Sequence, residues 1–223
     1  MDKFKVIENN ALKNIGYTLK FFSYTKKWKT ILLGLTAIVG STIAYHQFTD
    51  KPSQADQVQA VLNDLETVLD AARQYYLDNG ALPPITSDTE PEFGYLNINN
   101  LIANPGLKTW RGPYLPYDDT WIGGEQYISH PQYIATQLLL KETNSAWVRG
   151  SSPTGCQTTS SSCSLAACIW LVPLEVAQEI NHIVDGEVSL ESSDAKGTIR
   201  YDQALLGSLI CMIGDNYPMP PGK

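Results

Sequence analysis

The chain has 223 residues, room for one core of ordinary size or a smaller core with appended segments, and its 43% hydrophobic content excludes a disordered polymer. Charged residues make up only 17%, against roughly a quarter in typical soluble domains, a composition that leans towards a surface outside the cytoplasm. The net charge of −7 is unevenly spread, with seven Lys against Asp2 and Glu8 in residues 1–30 and nine basic against 21 acidic residues thereafter, so the body of the chain lacks the basic surface that phosphates demand and no nucleic-acid partner is expected.

Residues 1–30 read as a basic cytoplasmic leader or tail. The run from Ile31 to Phe48, ILLGLTAIVGSTIAYHQF, carries no formal charge apart from a titratable His46. Its 18 residues reach roughly 27 Å as a helix, close to the hydrocarbon thickness of a bilayer. Ile31, Leu32, Leu33, Leu35, Ile38, Val39 and Ile43 are the apolar side chains of this expected transmembrane half of an N-terminal helix. A cleaved signal peptide fits less well, because the basic region is about twice the usual length and no small-x-small cleavage pattern precedes Thr49. A buried core helix is the other reading set aside. Lys26, Lys27 and Lys29 immediately precede the run, so the positive-inside rule places the N-terminus in the cytoplasm and residues 49–223 outside it.

A second helix follows. Ser53 with Asp56 three residues on approximates a capping box, and apolar residues recur at Val58, Val61, Leu62, Leu65, Val68, Leu69, Ala72 and Tyr75 or Tyr76, the spacing of a one-faced helix. Leu65 and Leu69 are expected inside, with Asp64 and Glu66 facing water. Asn79-Gly80 and then Leu82-Pro83-Pro84 end it. Pro52 at the junction is tolerated in a first turn or at a kink, so one long, slightly bent helix of about fifty residues is expected.

Residues 85–135 alternate Gly, Pro, Asn and Asp with short aromatic stretches and read as loops with short strands. Strands are expected at 133–140 and 146–149, a Ser/Thr-rich surface loop at 150–164, and an apolar segment at 165–171. A short helix begins at Pro173 and closes at Asp185-Gly186. Further strands are expected at 198–201 and 205–213.

All four cysteines, Cys156, Cys163, Cys168 and Cys211, follow the apolar run, and an even number outside the cytoplasm suits disulfides. Four thiols allow three pairings, among which sequence does not choose. We favour Cys156 with Cys163, closing the Ser/Thr-rich loop, and Cys168 with Cys211, joining two apolar segments. Zinc is set aside because Cys163-x4-Cys168 has no matching second pair.

The catalytic inventory is thin, and no enzyme activity is expected. His46, His130 and His182 form no metal-binding spacing and read as solvated or structural, and no G-x-S-x-G elbow is present. Asp118, Asp119 and Glu125 cluster the oxygens that Ca²⁺ takes, although a solvated loop is the preferred reading and no other metal or cofactor is indicated.

Several segments in order carry a family resemblance. The run AIVGSTIAY at 37–45, then ARQYYLDNGALP at 72–83, resembles the N-terminal helix of type IV pilins and type II secretion pseudopilins. NLIANPGL at 100–107 followed by WRGPYL at 110–115 is similar to the loop after the long helix in major pseudopilins. Ile180-Asn181, Asp185-Gly186 and GTIRY at 197–201 are similar to the end region of minor pilins that carry a disulfide. The resemblance implies an α+β fold, a long N-terminal helix packed on a small antiparallel sheet with a disulfide-braced C-terminal region. It implies a structural, non-catalytic minor pilin or pseudopilin-like subunit of a type IV pilus or type II secretion apparatus. The partners would be other pilin or pseudopilin subunits, an inner-membrane assembly platform and membrane lipid. The site would be a bacterial inner membrane crossed once, with the C-terminal domain periplasmic or in a surface filament.

The chain also departs from that pattern. In the family a peptidase cuts after a glycine and the mature chain runs directly into the apolar helix, with a glutamate a few residues inside. Here Gly16-Tyr-Thr-Leu19 imitates the cleavage sequence, but Lys20, Lys26, Lys27 and Lys29 lie between it and the apolar run. Ile31 stands where the glutamate would be. A subunit at a filament tip, with no neighbour above it, has no use for that carboxylate. The alternative is an unpolymerised single-pass membrane protein with a pilin-like periplasmic binding ectodomain, and an exported enzyme ranks third.

Overall fold

The computed structural model describes residues 52–220, apart from 88, 144, 146–152, 161 and 187–195. The leader with Gly16, the apolar run 31–48 and the strand expected at 146–149 lie outside the described residues. Among the described residues no helix is long and apolar enough to cross a membrane.

Helix α1 spans Gln54–Asn79. Its start is local chemistry: Ser53 Oγ accepts from the Asp56 amide at 3.1 Å and the Asp56 carboxylate accepts from the Ser53 amide at 3.1 Å, satisfying two amides that have no partner within the helix. Ser53 itself is extended (φ −60°, ψ 160°), so α1 starts at its own cap, while the first half of the expected long, slightly bent helix lies outside the described residues. The reciprocal cap at Ser53 makes a new beginning there. Val58, Val61, Leu65, Val68, Ala72 and Tyr75 are buried, while Leu62 and Leu69 are half-buried against the same core. The helix ends at Gly80, whose left-handed φ of 74° suits a residue without Cβ and lets its amide reach the Tyr76 carbonyl at 2.8 Å.

The sheet has four antiparallel strands in the order β1-β2-β4-β3, with β1 at Ala135–Glu142, β2 at Cys163–Val172, β3 at Ile199–Ala204 and β4 at Gly207–Tyr217. Helix α2, Leu174–Asp185, connects β2 towards β3. Alternation along the strands divides the apolar residues between two faces. Leu138, Leu140, Ala167, Ile169, Ile199, Tyr201, Ile210 and Met212 join the buried residues of α1 and α2 in the main core. Leu139, Ala166, Cys168, Leu209 and Cys211 form a second cluster on the opposite face with Tyr95, Trp170 and Ile213 packed against it.

Strand boundaries differ from the sequence expectation for identifiable reasons. Strand β1 begins at Ala135 rather than Tyr133, because the Tyr133 amide is spent on the His130 ring at 3.1 Å. Strand β2 takes in Cys163 and Ser164, expected in the loop, through pairing with Glu142 and Lys141. Strand β4 begins at Gly207 because Leu205 and Leu206 turn the chain between Ala204 and Gly207. Segment 85–134 holds two 3₁₀ turns, Pro91–Phe93 and Ile98–Leu101, and lines the outer edge of β1. The Leu96 amide reaches the Leu138 carbonyl at 3.0 Å, the Leu140 amide reaches the Gly94 carbonyl at 2.7 Å, and Ile128 pairs with Thr136, leaving that edge unavailable to other strands.

Helix α1 runs in the direction of β4. The rings of Tyr76 and Tyr217 lie 5.0 Å apart at the far end. Midway, a Cβ on Gly214 would meet Leu69 at 2.9 Å. The start of α1 is tied to α2, since Gln54 Nε2 donates to the Glu175 carbonyl at 3.4 Å.

Candidate functional site

Two disulfides are present, Cys156–Cys163 and Cys168–Cys211. The first closes the Ser/Thr-rich loop against the β1–β2 edge, where the Cys156 amide reaches the Leu140 carbonyl at 2.9 Å. The second joins directly opposed residues of β2 and β4, buried on the sheet face away from the helices. The first bridge braces the end of β2 and the second the middle of the β2–β4 ladder, and the strand ends near Cys163 are further held by Ser164 Oγ, which donates to Asn216 Oδ1 at 2.9 Å.

The segment Trp110-Arg-Gly-Pro-Tyr114 is fixed on the last turn of α1. Tyr114 donates its hydroxyl proton to Asp78 at 3.1 Å and accepts from the Arg111 amide at 2.9 Å, while Trp110 Nε1 donates to the Asn100 carbonyl at 2.8 Å. Edge contacts of Tyr114 with Tyr75 (5.6 Å) and Trp110 (5.5 Å) complete the anchor. Gly112 belongs to the same packing, for a Cβ there would lie 2.5 Å from the Trp110 ring. Between this loop and α1 runs an open groove of about 790 Å³, lined by Asp70, Arg73, Leu77, Asp78, Arg111 and Pro113. It offers two cations, two anions and one exposed leucine.

Of the two readings, solvated or structural, His130 takes the structural one: it is buried in the loop ahead of β1. Its Nδ1 accepts from the Gln132 and Tyr133 amides, each at 3.1 Å, which assigns the neutral ring its proton on Nε2, 3.3 Å from Asp64 Oδ2. Tyr117 and Tyr133 flank the ring at 5.7 and 5.1 Å. Burial lowers its pKa while the Asp64 carboxylate acts in the opposite sense. Asp64, expected to face water, is therefore turned towards this cluster, whereas Glu66 is exposed. The two amides take up the one lone pair of the neutral ring, on Nδ1, which leaves the imidazole none free for a substrate. His182 is exposed in the last turn of α2.

Asp118, Asp119 and Glu125 do not assemble as a cation site, since among the described residues no group of three acidic, His or Cys side chains is placed to hold a metal. Asp119 Oδ1 accepts from the Thr120 amide at 2.7 Å, and Glu125 Oε2 reaches away to the Ser87 amide at 3.1 Å. Those bonds, local for Asp119 and distant for Glu125, use the carboxylates to shape loops.

Sequence reasoning did not single out Lys141 or the Asp64–His130 contact. Lys141 is wholly buried in β1, and burial brings its pKa down to about 8. Its only sequence signal was its place directly after Leu138-Leu139-Leu140. Comparison with protein-family models, with curated proteins and with solved structures returns no match.

Proposed function

We propose that the chain is a structural, non-catalytic, pilin-like subunit of a type IV pilus or type II secretion apparatus. Residues 31–48 anchor it in the inner membrane and its described domain stands on the periplasmic side. The observation that carries this reading is the order of parts: an apolar run of bilayer length, then a one-faced helix laid lengthwise on a small antiparallel sheet with two disulfides. The physical logic is conservation of apolar burial, because a helix stored in lipid can later be buried against neighbouring helices in a filament without meeting water. Disulfides suit the oxidising side of the membrane. The groove beside Arg73 and Arg111 offers complementary charge to a neighbouring subunit.

Three observations favour the unpolymerised single-pass alternative. Cleavage at Gly16 would leave four lysines ahead of the apolar run, Ile31 replaces the filament-core glutamate, and α1 makes a fresh start at Ser53. Mass spectrometry of the N-terminus of protein recovered from membranes separates the two readings. Cleavage within residues 16–27 is the expected result, and an intact Met1 overturns processing as a pilin.

A further inference from the structure

The hairpin joining β3 to β4 turns through Leu205 and Leu206, which are 98% and 79% exposed. Two-residue hairpin turns favour Asn, Asp and Gly, and neither leucine has the positive φ that would let backbone geometry dictate its identity. Two adjacent leucines held in water at a projecting tip therefore have no account in the fold itself. The base of the tip is nonetheless built with care. Leu171 adopts φ 63° at an irregularity in the β2–β4 register, and a Cβ on Gly207 would lie 3.0 Å from its Cα, so glycine is required for the two backbones to approach.

The position of the tip gives it a meaning. Leu205 and Leu206 share a cleft with Glu175, whose carbonyl accepts from Gln54 in the first turn of α1. Since α1 and β4 run in the same direction, the tip projects at the end where the chain enters α1. Only Thr49 to Pro52 separate Phe48, the last residue of the apolar run, from Ser53. Four residues span on the order of 15 Å at most. The tip is thus tethered within reach of any bilayer that holds the run.

We infer that Leu205-Leu206 is a membrane-contacting wedge that seats in the boundary between headgroups and acyl chains, on the reading that residues 31–48 are the anchor. A projecting apolar tip needs no complementary pocket to enter lipid, whereas a protein partner must supply one. The charged neighbours, Asp202 and Glu175, are acidic. That selects apolar insertion into zwitterionic lipid over attraction to anionic headgroups. The contact gives the domain a second point of attachment and fixes its orientation above the membrane.

The test uses the full chain reconstituted in phosphatidylcholine vesicles. All four native cysteines are in disulfides, so Leu205→Cys, Ile38→Cys and Leu77→Cys each introduce one site for an environment-sensitive fluorophore. Leu77 is also exposed, at 65%, but sits near the opposite end of α1. The label at 205 is expected to shift to the blue and to be quenched by doxyl-labelled lipid, and the label at 77 to do neither. Quenching at 38 but not at 205 overturns the wedge and leaves the anchor standing. Quenching at 205 but not at 38 keeps the wedge and overturns the anchor. A label at 205 that is shielded from aqueous iodide yet untouched by doxyl lipid is seated on another protein copy, and this also overturns the wedge.

Discussion

Burial holds the His130 imidazole below its ordinary value of 6.5, and protonation would also cost Nδ1 the two amides it accepts. The unfolded chain therefore binds this proton at higher pH than the folded one, so the contribution is whole above about pH 6.5 and is lost as pH falls through the folded pKa. Denaturant unfolding of residues 53–223 between about pH 7 and pH 5 should show a falling midpoint, and His130→Gln should flatten that fall relative to the parent. Equal slopes in both proteins would contradict the assignment. Lys141 has the same sign in another window. With a folded value of about 8 against 10.5 unfolded, stability should rise as pH increases from 8 towards 10. Half-buried Tyr95 and Tyr117, each pushed up to about 12 by partial burial, oppose it only above the ordinary tyrosine value of 10. Lys141→Met should remove the rise, and a rise that survives the substitution would show that another group causes it.

Helix α1 illustrates which elements sequence can reveal. Its cap is a contact between residues three apart and its buried face repeats every turn, so Ser53, Asp56, Leu65 and Gly80 could be read without knowing anything distant. Asp64 could not, because its partner His130 belongs to a loop brought alongside only by the assembled fold. The full strand order was hidden for the same reason, since β4 enters between β2 and β3, although the apolar surroundings of Cys168 and Cys211 did point to those two segments lying together. At this scale Leu65→Ala should cost about 2 to 5 kcal/mol of domain stability as a core truncation, with Glu66→Ala changing it by less than about 0.5 kcal/mol, both measured by denaturant unfolding. The Cys168–Cys211 bridge spans 43 residues and Cys156–Cys163 spans seven. Chain entropy then assigns about 4 kcal/mol to the first and about 2 kcal/mol to the second. Replacing Cys168 and Cys211 together should lower the melting temperature further than replacing Cys156 and Cys163, and the reverse order would contradict the entropic account.

Across the whole molecule, the basic leader, the apolar run and the acidic, disulfide-bearing body divide the chain as a membrane would divide it. Ile38→Asp at the centre of the run should cost about 2.5 to 3.5 kcal/mol of insertion free energy and release the protein under alkaline extraction. Retention of the variant in the membrane pellet would remove the anchor. Anchoring is common to both functional readings, however, and only assembly separates a pilin-like subunit from a stationary receptor. Antibody raised against the described domain, applied to filaments sheared from expressing cells and viewed by immunogold electron microscopy, tests assembly most directly. Gold along the filaments or at their tips is the predicted result. Unlabelled filaments, with all of the chain recovered in the inner membrane of the same cells, would contradict it.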